Sequence, residues 1–143
     1  YFIPDESIQT ALLMATMFGV EVNLMFPCKP DHPFVYWATL SYVGELIMAG
    51  ANCYTYDNGF YMQKDCPLTK GVLHGTANMD IRSFALNFEV NAMIFDQNIA
   101  GEMERIFRED LKCCTRITKE MYKSRSVWIR FKEQISRLLS PVL

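Results

Sequence analysis

The residues best suited to chemistry lie between positions 59 and 80, in the stretch GFYMQKDCPLTKGVLHGTANMD. It ends in Gly75-Thr76-Ala77-Asn78, a small polar turn of the kind that lets a backbone approach a phosphate, since glycine has no side chain to hold an anion off. Ahead of it stands Lys64, at the end of the uncharged run 60–63. A cation close to a turn rich in N–H donors outlines a phosphate site. The group that would do the chemistry is harder to find. His74 adjoins the turn and is the candidate substitute acid or base, although a strand histidine that is satisfied or partly exposed is the plainer reading.

The elements that must position these residues alternate along the chain. PDESIQTALLMATMFGV, with acids in its first turn and Gly19 at its end, predicts a helix. VEVNLMF predicts a buried strand, and PCKPDHP a proline-punctuated loop. A second helix is expected over about 34–49, capped by Gly50, followed by a strand in NCYTYD. Helix and strand alternating on short links indicate an α/β layer with parallel neighbours. After the Asn58-Gly59 turn, FYMQK and GVLHG read as short strands and LNFEVNAMIFD as a longer one. QNIAGEMERIFREDLKCCTRI and KEMYKSRSVWIRFKEQISRLLSPVL read as helical, the last with a stripe of Trp128, Phe131, Ile135, Leu138 and Leu139. The aromatic run Tyr36, Trp37 and Tyr42 fits an amphipathic helix packed on a sheet.

Composition narrows the classes. A chain of 143 residues, half of them hydrophobic, forms one domain and excludes a disordered or collagen-like polymer. Cys28, Cys53, Cys66, Cys113 and Cys114 form no C-x-x-C pair and have no histidine at zinc spacing, so reduced buried thiols are expected and no metal. No run of 18 apolar residues is present, and the first residues, YFIP, read as the edge of a strand in a piece of something longer. Charge is uneven: residues 1–104 carry 4 Lys/Arg against 12 Asp/Glu, and residues 105–143 carry 10 against 4. The basic segment of about 118–143, with Lys119, Lys123, Arg125, Arg130, Lys132 and Arg137, suits an anionic phospholipid surface, or else a solvated face paired with the acidic body. Nucleic acid is disfavoured as a partner, because the part that holds the candidate site is net acidic.

YFIPDESIQTALLMATMFGVEVNLMFP, KPDHPFVYWATLSYVGELIMAGANCYTY, GTANMDIRSFALNFEVNAMIFD and the closing RLLSPVL together resemble the C-terminal half of bacterial cardiolipin synthases of the phospholipase D superfamily, in register from end to end. The resemblance implies a mixed sheet flanked by helices, one half of a two-half enzyme. In such enzymes each half contributes H-x-K-x4-D followed by G-[ST]-x-N. One histidine attacks phosphorus, and the other protonates the leaving glycerol oxygen and then activates the incoming hydroxyl. No metal or other cofactor is implied. The reaction would join two phosphatidylglycerols into cardiolipin and glycerol, and the location would be the cytoplasmic side of a bacterial membrane, reached through segments outside this stretch. The partner would be the N-terminal phospholipase D-like half, or a homodimer mate in its place.

Carried onto this chain, the resemblance makes Lys64, Gly75, Thr76 and Asn78 phosphate-binding residues, with Lys64 and Asn78 in the catalytic set. It makes Glu89 a brace for the site, and places His32, with Lys29, near its mouth. The motif itself is degenerate. Met62 stands at the histidine position and Thr69 at the aspartate position, and neither side chain titrates usefully. Asp65-Cys66-Pro67 follows the lysine where apolar strand residues are usual, and proline is poorly tolerated in a central strand. The chain alone is therefore expected to be inactive. Two alternatives are a non-catalytic phosphate-binding or scaffolding half, and a phosphodiesterase or nuclease of the same superfamily.

Overall fold

The computed structural model describes residues 2–28, 32–57, 65–68 and 71–139. Lys29, the expected strand FYMQK with Met62 and Lys64, and Thr69 lie outside the described residues. The architecture is mixed α/β, with small sheets flanked by helices.

Strand β1 (Phe2–Ile3) leads into helix α1 (Glu6–Met17), which starts where Asp5 Oδ1 accepts the Ile8 N–H at 2.8 Å and ends before Gly19, at φ +85°. Strand β2 (Asn23–Pro27) follows, then helix α2 (Pro33–Ala49), closed by Gly50 at φ +119°. Strand β3 (Asn52–Tyr56) runs parallel to β2 in the expected βαβ manner.

Helix α2 departs from expectation. It is buried over most of its circumference rather than amphipathic, with Ala38, Val43 and Leu46 fully inaccessible. Its apolar residues pack with Phe2, Phe26 and Cys53 in the main core, where burial pushes the Cys53 thiol up to about 12. The cysteines are not uniformly buried, however: Cys113 is exposed and Cys28 and Cys114 are only half-buried.

Strands β4 (Asp65–Leu68), β5 (Gly71–Gly75) and β7 (Asn91–Ile94) form an antiparallel sheet in the order β4-β5-β7. Among the described strands Pro67 thus lies at an edge of this sheet, where a proline is better tolerated than in a central strand. Between β5 and β7 come strand β6 (Met79–Asp80), parallel to β1, and helix α3 (Ile81–Ala85). The long strand expected over LNFEVNAMIFD shrinks to β7, because the Val90 N–H and carbonyl are taken by Thr76 instead of by a partner strand.

Helix α4 (Gln97–Asp110) ends in a 3-10 turn, Leu111–Cys113, and the chain then extends as β8 (Cys114–Ile117) where helix was expected. Thr115 and Ile117 are β-branched and weak helix formers, and the open edge of β3 offers an antiparallel partner. Helices α5 (Lys119–Lys123) and α6 (Val127–Leu139) complete the described residues, with α6 packed along α2.

The α2–α6 contact is polar. Glu133, 2% exposed, pairs with Arg125, whose guanidinium lies 3.2 Å from the Tyr122 ring centroid. Tyr122 in turn rests on Gly44, where an added Cβ would run into its ring. Arg137 pairs with Glu45 and covers Tyr42, while Glu45 Oε2 also accepts from Gln9 Nε2 at 3.0 Å, tying α1 to the same network. Trp37 lies under Lys132, and Tyr36 meets Trp37 edge-on at 5.4 Å, so these aromatic residues serve the helix interface.

Burial pushes the Glu133 carboxyl up, against the opposing pull of Arg125. Arg125→Met leaves that carboxylate uncompensated and is expected to lower stability by about 3–5 kcal/mol at pH 7. A raised folded-state pKa means the folded state holds the proton more tightly, so the loss should shrink as pH falls toward the ordinary glutamate value of about 4.3. Urea denaturation at several pH values reads both effects. A deficit that does not change with pH would show that the pair is electrostatically unimportant.

Candidate phosphate site

The Gly75–Asn78 turn is held between two sheets. Gly75 ends β5 opposite Asn91 of β7, and Asn78 leads into β6, which pairs with β1 beside α2. A Cβ on Gly75 would collide with Asn91 Oδ1 and the Val90 carbonyl oxygen, so the approach of β7 itself demands glycine at this position.

Thr76 and Val90 lock the next step. Thr76 N–H donates to the Val90 carbonyl at 3.0 Å, and Val90 N–H donates to Thr76 Oγ1 at 3.0 Å. The Thr76 hydroxyl donates in turn to Glu89 Oε2. The other carboxylate oxygen, Oε1, accepts from Ser83 Oγ at 3.3 Å, and Ser83 Oγ accepts the Asn78 N–H at 3.2 Å. Glu89 therefore spans both ends of the turn through two hydroxyls. Asn78 is anchored by its main chain, so its carboxamide is not what secures it.

Sequence reasoning missed Ser83, which is buried and joins Asn78 to Glu89. A signal existed in Asp80-Ile81-Arg82-Ser83: an acid three residues ahead of a small polar residue is a helix start, and Asp80 Oδ1 accepts the Ser83 N–H at 2.7 Å. That cap fixes Ser83 under the turn.

The structure brings together Gly75, Thr76, Asn78 and Glu89 from the expected set. Lys64 lies outside the described residues, as do Met62 and Thr69. His74 is exposed in β5, opposite Ala92 on one side and Asp65 on the other. His32 is exposed at the N-cap position of α2, and among the described residues no hydrogen bond ties it to the turn. Chemically, the turn is preorganised: its hydroxyl and main-chain geometry is fixed before any ligand arrives, which lowers the ordering cost of binding.

Residues 1–111 match the family described as cardiolipin synthase, phospholipase D-like domain. The chain belongs to this family. Over its whole length it is 54% identical to the major cardiolipin synthase of Bacillus subtilis, 53% to a cardiolipin synthase of Oceanobacillus iheyensis and 52% to cardiolipin synthase 1 of Staphylococcus epidermidis. It spans about 30% of the length of these relatives. The Glu89-braced turn lies within the matched residues.

Ser83→Ala removes the acceptor of a half-buried N–H and one of the two hydroxyls on Glu89. It should cost about 1–3 kcal/mol in urea denaturation and speed hydrogen exchange at Asn78. The Asp80 cap on residue 83 survives, since it uses main-chain N–H. Unchanged exchange at Asn78 would mean that the serine does not hold the turn.

Proposed function

We propose that residues 1–143 are the C-terminal phospholipase D-like domain of a cardiolipin synthase-type phosphatidyltransferase, including a basic helical segment at about 118–143. The carrying observation is the Gly75-Thr76-Ala77-Asn78 turn with Glu89 braced beneath it, in a chain that resembles cardiolipin synthases from end to end. In this reading the Asn78 carboxamide, together with Lys64, holds the non-bridging oxygens of a phosphatidyl group, while Thr76, whose N–H and hydroxyl are donated to Val90 and Glu89, shapes the turn. Glu89 keeps the turn rigid, and its charge is neutralised in part by the two hydroxyl donors. The complete reaction would convert two phosphatidylglycerols to cardiolipin and glycerol at a bacterial membrane, on its cytoplasmic side, with an N-terminal phospholipase D-like half as partner or a second copy in its place.

Met62 and Thr69 favour a second reading of the same site, a non-catalytic half that binds phosphate and supports its partner. Shuttling a phosphatidyl group through histidine needs two imidazoles on opposite sides of one phosphorus, and a methionine at 62 supplies none. A phosphodiesterase or nuclease role has no comparable support, given the acidic balance of residues 1–104.

Conversion of labelled phosphatidylglycerol to cardiolipin by the purified chain in mixed micelles tests the reading. No turnover is expected, and Met62→His alone is expected not to restore it, since Thr69 leaves the ring unbraced and a shift of about 1 Å costs on the order of 100-fold. Titration with glycerol phosphate should nevertheless shift the Thr76 and Asn78 amide resonances, and Asn78→Ala should weaken that binding about tenfold, the loss of one charge-assisted contact. Turnover abolished by Lys64→Ala or His74→Ala would mean that the site works through other residues. Absence of any shift at the turn would remove the phosphate assignment.

A further inference from the structure

Helix α6 is mounted with its polar side inward. Glu133 and Ser136, 2% and 1% exposed, face the body of the fold, and Glu133 and Arg137 are held by Arg125 and Glu45. The apolar side points away: Trp128 is 74% exposed and Leu138 80%, and Phe131 and Ile135 lie open between them. These positions follow one another at three- and four-residue steps, so they form a continuous ridge about 15 Å long, one side of the helix from end to end. Trp128 and Phe131 stand edge to face at 6.3 Å at the N-terminal end of the ridge.

Charge decides what suits this ridge. The acid of α6, Glu133, is buried and paired, so the outward surface of the helix carries no carboxylate. The exposed basic side chains of α6 are cationic instead: Arg130, whose guanidinium donates to the Lys123 carbonyl, and Lys132, which is exposed although its ammonium lies 5.5 Å from the Trp37 ring centroid. An apolar ridge with an aromatic pair at one end and cations on the same helix matches the boundary between anionic head groups and acyl chains. The same helix is too short to cross a bilayer, and no described helix is long and apolar enough to do so.

We infer that α6 is an interfacial helix, seating Trp128, Phe131, Ile135 and Leu138 in the surface of an anionic phospholipid layer while Arg130 and Lys132 meet its head groups. The inference rests on the lipid-directed reading above only for its choice of occupant. The inverted mounting of the helix is independent of that reading. Arg137–Glu45 fastens α6 to α2, and Arg125–Glu133 ties it to the segment that follows α5; neither uses the ridge, so the ridge is available to an external apolar phase.

The test uses the full 143-residue chain carrying Trp37→Phe, which leaves Trp128 as its single tryptophan. Vesicles of phosphatidylglycerol with brominated acyl chains should quench Trp128 and move its emission to shorter wavelength, while phosphatidylcholine vesicles should do neither. Phe131→Glu or Leu138→Glu should weaken sedimentation with the anionic vesicles at least about tenfold. Arg130→Gln and Lys132→Gln should each weaken it roughly fivefold and flatten its salt dependence. Circular dichroism confirms the fold of each variant, including the Trp37→Phe background, where a half-buried ring is exchanged for a smaller one. Trp128 left unquenched by anionic vesicles overturns the inference. So does a chain that elutes as a dimer with Trp128 already shielded, which would assign the ridge to a second copy. Shielding of Trp128 on fusion to the remaining length of the Bacillus subtilis relative, before any vesicle is added, would assign it to the rest of the protein. Loss of vesicle binding in Asn78→Ala equal to that in Phe131→Glu would move lipid contact to the phosphate turn, sinking this inference and leaving the proposed function standing.

Discussion

A helix with apolar residues on every side has to be covered on every side, and α2 imposes that requirement on the rest of the molecule. Val43, Leu46 and Ala38 have no accessible surface, so the core elements Phe2, Phe26 and Cys53, helix α1 and helix α6 must all come to it. Hydrophobic burial at about 25 cal/mol per Å² supplies the drive on the sheet side. On the α6 side the cover is of another kind: Tyr122 against Gly44, the buried Glu133 held by Arg125, and the half-exposed pair of Arg137 with Glu45. The requirement to cover α2 thus explains both the ordinary core and the unusual polar seam.

The turn at Gly75–Asn78 draws on the same centre indirectly. Strand β1 packs on α2 and pairs with β6, and β6 begins directly after Asn78. From the other side the turn is fixed by Thr76, Glu89 and Ser83, whose bonds are local and depend on few long-range contacts. A site assembled from a short polar network beside a rigid core can change its reactive groups without disturbing the fold.

Much of this was legible from residue order. Gly19 and Gly50 marked helix ends that the backbone does close in the left-handed region, and NLMFP and NCYTY were readable as neighbouring parallel strands because a helix of the right length joins them. Glu89 was suggested only by resemblance, and its hydroxyl partners could not be read from periodicity, since Ser83 owes its place to the Asp80 cap. Strand β8 was hidden inside a sequence rich in charged helix formers, where the vacant edge of β3 outweighed local propensity. The orientation of α6 was also out of reach: an amphipathic pattern gives two faces and does not say which one turns inward when a buried glutamate can find an arginine partner.

Pro67 carries a consequence beyond catalysis. Strand β4 has β5 as its neighbour and stands at the margin of its sheet among the described strands, and an unprotected margin is a template on which other chains stack through their main-chain groups. A proline there withholds a donor from any newcomer. The residue that sits awkwardly in a reading of the motif is thus of the type that discourages edge-to-edge pairing, in a protein whose surface exposes large apolar side chains such as Phe88 and Phe95.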